Sequence, residues 1–235
     1  MRLTIATREA TRFACLRFHY AHAVPVNPLS FAVWNEKGEW CGCILFGLGA
    51  TPNICVPFGL NNGEVLELTR VALNGEQEAT SQCVAAALKE VKKHCPLVRL
   101  IVSYADADKS HLGTIYQATN WIYCGEMGEG SRGAFIVHGV KMHPKSVWST
   151  RVKIGGKMVH CPQAIEAVRK YLDPDATEFV TRGKRKYLYP LDRRIRKRIL
   201  PLAKPYPKNE DWTPIDYKAQ RAAKKAAKQK DTPPQ

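Results

Sequence analysis

Between residues 9 and 23, Phe13, Leu16, Arg17 and Tyr20 recur at spacings of three and four, and Pro25 stops the run. That period predicts a helix over Glu9–Ala23. Ser30–Trp34 and Trp40–Leu48 read as two strands joined by the turn Asn35-Glu-Lys-Gly38, and Val65–Leu73 reads as a third. A polar loop, Asn74–Thr80, leads to a predicted helix over Gln82–His94 with Ser81 as its cap. Val84, Leu88 and Val91 share one face of that helix. Lys92, Lys93 and His94 stand at its end, where cations suit the dipole, and Pro96 closes it. Leu97–Tyr104 is apolar enough for a central strand. A short helix at His111–Asn120 and strands at Trp121–Gly125 and Phe135–Lys141 follow. Strands joined through helices imply a parallel segment, so the fold expected is α/β, a mixed central sheet flanked by helices.

The 235 residues fit one large domain or one domain with an extension. No apolar stretch approaches the ~20 residues of a bilayer span, and the N-terminus lacks a secretory pattern. The expectation is a cytoplasmic protein with no membrane partner. The eight cysteines are scattered. Only Cys41 and Cys43 are close, and no second pair completes a zinc site, which favours buried, reduced thiols.

Charge changes the picture more. Residues 1–140 hold 12 Lys+Arg and 12 Asp+Glu, whereas residues 141–235 hold 24 against 9, so the whole net +15 lies in the last 95 positions. The division expected is a core over 1–141, a basic extension over 142–217 and a disordered cationic tail over 218–235. A neutral body with a cationic end points to a polyanion. In the run from Arg182, Lys184, Arg185 and Lys186 stand beside Tyr187 and Tyr189, and Arg193 and Arg194 open a stretch of five cations within six positions. Cations interleaved with aromatics suit phosphate contact plus stacking, so these residues are assigned to double-stranded DNA.

Candidate chemistry lies elsewhere. Asp106 and Asp108 follow the central strand, where reactive groups gather at carboxyl ends; for Asp108 a solvated turn is the better reading. Tyr116 lies one turn beyond Leu112, so its ring is expected to point inward. Glu67 and Arg70, three apart on a strand, should face opposite sides. Arg70 suits a phosphate or carboxylate, or equally a structural ion pair. Ser103 has no His-Asp partner at a nucleophile's spacing and is assigned to substrate positioning. His111 is a weak neighbour of this pocket, and the other histidines show no metal-binding spacing.

Ile115-Tyr116 through Trp121-Ile-Tyr-Cys-Gly125 resembles the helix-to-strand segment of the GNAT acyltransferase fold, in which a tyrosine at this place protonates a departing thiolate. GNAT enzymes usually carry R/Q-x-x-G-x-G/A after the strand matching Val65–Leu73. Here Asn74-Gly-Glu-Gln-Glu-Ala-Thr-Ser81 stands instead, and Glu76 and Glu78 would repel the coenzyme A pyrophosphate. A closer resemblance is to the Mom family. It rests on His19-Tyr20, Glu67-Leu-Thr-Arg70, Val102-Ser-Tyr-Ala-Asp106, Gly113-Thr-Ile-Tyr116 through Tyr123, and Tyr187-Leu-Tyr-Pro-Leu-Asp192. That resemblance implies a phage or prophage enzyme of the host cytoplasm. Its activity would add a carbamoylmethyl (acetamido-type) group to adenine N6, hiding phage DNA from host restriction endonucleases. Asp106, Tyr116 and Tyr20 would be catalytic, with Arg70, Ser103 and Glu67 binding substrate or donor. The resemblance also implies iron held by His19, Tyr20, Asp106 and Tyr116, a small-molecule group donor and a flipped base. Adjacent His19 and Tyr20 on a helix would diverge by ~100°, so only one would face the site. The alternatives are an acyl-CoA transferase acting on a protein or small molecule, and a non-enzymatic DNA-binding protein with a GNAT-like shell.

Overall fold

The computed structural model describes residues 1–26, 28–49, 53–107, 110–127, 132–180 and 183–208. Asp108, Arg182 and the proposed tail over 218–235 lie outside them.

Seven strands make the central sheet: β1 (Arg2–Ile5), β2 (Leu29–Trp34), β3 (Trp40–Gly47), β4 (Val65–Leu73), β5 (Leu100–Asp106), β6 (Ile122–Met127) and β12 (Lys184–Pro190). Their order is β1-β2-β3-β4-β5-β12-β6. Every neighbouring pair is antiparallel except β4 with β5, whose connection runs through α2 (Thr80–His94). A parallel pair needs such a crossover, and the expected α/β mixed sheet is what forms.

Alternation along β5 divides the core. Ile101 and Ala105 face the cluster built on Cys83, Val84, Ala87, Leu88 and Val91 of α2, with Tyr116 from α3 (Thr114–Gln117). Leu100 and Val102 face Ile195 and Ile199 of α6 (Arg193–Ile199). The helix α1 (Arg8–Phe18) is capped by Thr7, whose hydroxyl accepts from Ala10 N at 3.2 Å. It ends five residues earlier than its period suggests and buries Thr11, Ala14 and Cys15 rather than the Phe13–Leu16 stripe. Small residues let it lie close to Ala32, Cys43 and Leu45, while Phe13 stays 53% exposed beside Phe18 and Trp40.

The largest departure is β12. The basic, aromatic run that begins at Lys184 is a central strand, paired with β5 over seven positions and with β6 on its other side. Tyr187 and Leu188 are fully buried on opposite faces. Its Lys-Arg-Lys start marks where the strand enters the sheet. The core expected to close at residue 141 therefore includes Lys184–Pro190 and is completed by α6. Asp192 caps α6 by accepting from Ile195 N at 2.8 Å and holds Arg99 Nε at 2.7 Å; Arg99 also reaches Glu64 at 3.3 Å.

Between β6 and β12 the chain makes an insert with its own core of Phe135, Val137, Val147, Val152, Cys161, Val168 and Ala176. A three-stranded sheet in it joins β7 (Arg132–Val137), β8 (Val140–Met142) and β11 (Thr177–Val180). The helices α4 (Pro144–Ser149) and α5 (Ile165–Tyr171) and a ribbon of β9 (Arg151–Ile154) and β10 (Lys157–His160) complete it. The single strand expected at Phe135–Lys141 is the β7–β8 hairpin, turned at His138-Gly139, both at positive φ. Among the described residues no helix is long and apolar enough to cross a membrane.

The burial of Tyr187 gives a direct check. Tyr187→Ala should cost about 3–5 kcal/mol of stability in denaturant unfolding, the cost of a large core truncation. A surface stacking residue would show almost no shift in midpoint.

Candidate active site

β4 and β5 pair only from Val65–Glu67 against Leu100–Val102. Beyond that the two strands part, and a cavity of about 770 Å³ opens between Leu68–Val71 and Tyr104–Ala105. Phe18, His19 and Tyr20, just past α1, line it from one side. Thr80 of α2 and the segment Ser110–Tyr116 line it from the other. The cavity thus passes through the sheet at the carboxyl ends of its parallel strands. A second hollow of about 500 Å³ lies by β6, between Trp121, Tyr189, Arg196 and Lys204. It brings together no acid, base and nucleophile.

Tyr116 anchors the inner wall. Its ring packs on Trp121 and Tyr187 at 5.0 and 4.9 Å between centroids. Its hydroxyl lies 2.8 Å from Ser103 Oγ, which is itself 2.9 Å from the Leu68 carbonyl. Ser103 has one proton, so donating to Leu68 leaves it an acceptor for the Tyr116 O–H. Burial, ahead of the nearby Tyr20, Tyr187 and Glu67, pushes the Tyr116 phenol up to about 12, so it is neutral at pH 7. Ser103 is fully buried behind the ring and does not line the cavity, which makes it a positioning residue for Tyr116. Gly113 permits this packing. At φ +72 it would place any Cβ 2.5 Å from the Tyr187 ring and 2.9 Å from that of Tyr116.

His19 and Tyr20 both line the cavity, because α1 ends at Phe18 and His19 is extended (φ −107, ψ 135). Freed from helical directions, their rings stack at 4.3 Å. Burial first, then the positive Arg70 and the neighbouring His111 and His22, lowers His19 to about 4. Its Nδ1 accepts from Ala21 N at 3.1 Å, so the neutral ring carries its proton on Nε2. Tyr20 meets His111 edge-on at 5.6 Å. Burial raises its phenol, and the Asp106 carboxylate raises it further.

Arg70 brings charge to the opening. Its Nη1 donates to its neighbour Thr69 O at 2.7 Å, and its Nε is buried with no hydrogen-bond partner among the described residues. A buried N–H left so costs about 1–3 kcal/mol unless an acceptor arrives. β3 advances one residue where β4 advances two at Thr69, so a bulge lies between Glu67 and Arg70. Arg70 lines the cavity and Glu67 does not; the Glu67 carboxylate lies against Gly49. Asp106, the last residue of β5, stands at the rim. It is felt by Tyr20, its carbonyl accepts from His111 N at 3.1 Å, and its side chain is not part of the lining.

The residues present do not make a cage ready for iron. The His19 Nδ1 is taken by Ala21 N–H, the Tyr116 hydroxyl is held by Ser103, and the Asp106 side chain is not part of the cavity lining. Among the described residues no group of three His, Cys, Asp or Glu side chains could hold a metal ion.

The residues assigned to DNA are scattered. Tyr187 is in the core with its hydroxyl donating to Leu112 O. Tyr189 packs on Trp121 at 5.4 Å. Arg185 Nε lies 2.8 Å from Glu126, and its Nη1 donates to His111 O at 2.9 Å, so it braces the cavity loop. Lys186 lies over the Phe58 ring at 4.8 Å, and burial lowers its ammonium below the usual lysine range. Lys184, Arg193 and Arg194 are exposed. Sequence reasoning passed over Tyr104, Thr80 and the bracing by Arg185. Only Gly113, a glycine just before a helix beside Tyr116, carried a readable signal.

The His19 shift has a sign that can be tested. An unfolded histidine takes up its proton near 6.5, and folded His19 does so near 4. The folded state therefore binds fewer protons between those values, and stability falls as pH drops through that window. His19→Gln should remove part of that fall in urea midpoints measured from pH 7 to pH 4.5. An imidazole resonance of His19 titrating near 6.5 would contradict the assignment.

Comparison with known proteins bears on the whole chain. An acetyltransferase from Bacillus subtilis, solved with CoA, is similar at 10% identity and a TM-score of 0.44, covering 81% of this chain and 99% of that one. A spermidine N-acetyltransferase SpeG chimera from Vibrio cholerae and hSSAT is similar at 10% identity and a TM-score of 0.44, covering 85% of this chain and 99% of that one. No curated protein matches. The model of the Mom protein family matches residues 1–208, which takes in the sheet, the cavity and the insert, and the chain belongs to that family.

Proposed function

We propose that the protein transfers a carbamoylmethyl group to the N6 amino group of adenine in double-stranded DNA. The observation that carries the reading is the cavity where β4 and β5 part. It sets a neutral buried phenol, Tyr116, across from the unpartnered Arg70 Nε, in a space of about 770 Å³. That volume accommodates a flipped base together with the reacting end of a donor. Membership of the Mom family and the concentration of positive charge in residues 141–235 support DNA as the substrate.

In this reading Arg70 Nε–H holds an anionic or carbonyl oxygen of the donor, and His19, neutral at pH 7, donates from Nε2 without adding a second positive charge. Adenine N6 forms a bond to the methylene carbon of the donor while the bond to its leaving group breaks. The leaving group gains a proton from the Tyr116 O–H, and the proton that N6 then releases returns to the Tyr116 oxygen, so the phenol ends the step as it began. Ser103 holds that hydroxyl in place. Asp106 at the rim acts on Tyr20 by charge.

A second reading, acyl transfer from an acyl-CoA, has one observation in its favour. α2 begins at Thr80, in the cavity wall, and its first turn has no side-chain cap. Its free amides suit a pyrophosphate. Glu78 does not oppose this, being held by the chain's N-terminal ammonium at 3.5 Å and by Glu36 N.

Nucleoside mass spectrometry of DNA from cells expressing the protein tests the proposal. The wild type should yield adenine bearing the added group. Tyr116→Phe keeps the packing and should lower the yield ~100-fold or more, the scale of a lost general acid. Arg70→Lys keeps the charge without the Nε–H and should also lower it. Unmodified adenine with the wild type, or full modification with Tyr116→Phe, would overturn the reading.

A further inference from the structure

The insert between β6 and β12 carries a chemical pattern of its own. Residues 130–165 contain six Lys+Arg and no Asp or Glu. β9 and β10 form a two-stranded ribbon in which His160 pairs with Arg151 and Met158 with Lys153. Val152, Ile154 and Val159 face inward to the core of the insert. Alternation therefore turns Arg151, Lys153, Met158 and His160 outward together, and all four are exposed. Met158 is 60% exposed, and Trp148, 50% exposed, stacks on the His160 ring at 3.9 Å with 12° between planes. Met158, and Trp148 through its stack on His160, add apolar atoms to a cationic face.

The insert also leaves and rejoins the sheet at the end that holds the site. Lys184, which closes the insert, pairs with Asp106 on one side and with Met127, the end of β6, on the other. His143, which begins α4, lies near enough to Lys184 to feel its charge. The cationic helix α6 follows Pro190, which pairs with Leu100 at the far end of β5. Six strand steps separate Asp106 from Leu100, roughly 20 Å. The site and the roots of the insert share one end of the sheet, and α6 begins at the other.

We propose that the β9–β10 ribbon is the element that grips duplex DNA and enters its major groove, with Arg151 and Lys153 of this face and the exposed Lys157 beside the turn toward phosphates, and Met158, His160 and Trp148 toward base edges. The ribbon suits that place. Four residues a side span about 13 Å, its two-residue turn, Gly155-Gly156, has both residues at positive φ, and the major groove is ~12 Å wide and admits a two-stranded ribbon. The charge pattern favours a polyanion, and the exposed apolar atoms favour one with base edges within reach.

This inference rests on the reading of duplex DNA as substrate, and its test is kept separate from modification. The full-length protein with Arg151, Lys153 and Lys157 replaced by Ser is compared with the wild type and with Arg193, Arg194 and Lys197 replaced by Ser, in duplex binding across a salt series. Losing three phosphate contacts at the ribbon should flatten the log–log slope by about 3, and the α6 variant should change it less. A photocrosslinker at position 158 should capture duplex, and bulky substituents on cytosine C5, in the major groove, should suppress the capture. A ribbon variant with the wild-type slope, or position 158 capturing single-stranded RNA but no duplex, would overturn the proposal. If the wild type modifies adenine and the slope is unchanged, the ribbon fails and the function stands. If the slope flattens and no modified adenine appears, the function fails and the ribbon stands as a duplex grip.

Discussion

β12 hydrogen-bonds to β5 on one side and β6 on the other, and most of what surrounds the cavity follows from that pairing. A strand inserted there buries Tyr187 beneath Tyr116, and the Tyr187 hydroxyl holds the Leu112 carbonyl. Two positions earlier, Arg185 reaches the His111 carbonyl and Glu126. The loop between β5 and α3 is thus held at two points by one strand. Because that strand starts opposite Asp106, the insert before it must emerge beside the cavity. The placement of the loop and the point where the insert rejoins the sheet both follow from this one strand.

The site is organised around one cation and several neutral polar groups. Arg70 discourages a charge on His19, burial keeps Tyr116 protonated, and burial with Asp106 keeps Tyr20 so. Such a site suits a reaction in which a neutral amine attacks and a leaving group departs as an anion. A fixed positive charge and a ready O–H then meet the charge as it develops, with little reorganisation.

The regular part of the fold was legible wherever one period dominated. Val65–Leu73 has the expected bounds, and β2, β3 and α2 agree within two residues at each end. What misled was local chemistry overruled by tertiary context. Tyr187 and Lys186 read as a surface pattern, yet the strand they form lies between two others and its aromatics fill the core. α1 was read from its large apolar residues, whereas close approach to a sheet selects the small ones, Ala14 and Cys15. His19 and Tyr20 looked divergent only while they were placed on a helix. A bulge at Thr69, between Glu67 and Arg70, is invisible in the residue types. Ser103, Asp106, Gly113 and Tyr116 could be grouped from sequence because they lie on consecutive elements. His19 and Arg70 come from distant parts of the chain, and their convergence is a property of the sheet.

Exposed cations gather on the ribbon and on α6, and the central proposal is that the protein takes duplex DNA through the ribbon. Hydrogen–deuterium exchange of the full-length protein, with and without a duplex, addresses this most directly. The account predicts protection in the cavity loop at 110–117 and in the ribbon at 151–160. Protection confined to α6, at 193–199, with both of those segments unchanged, would contradict it.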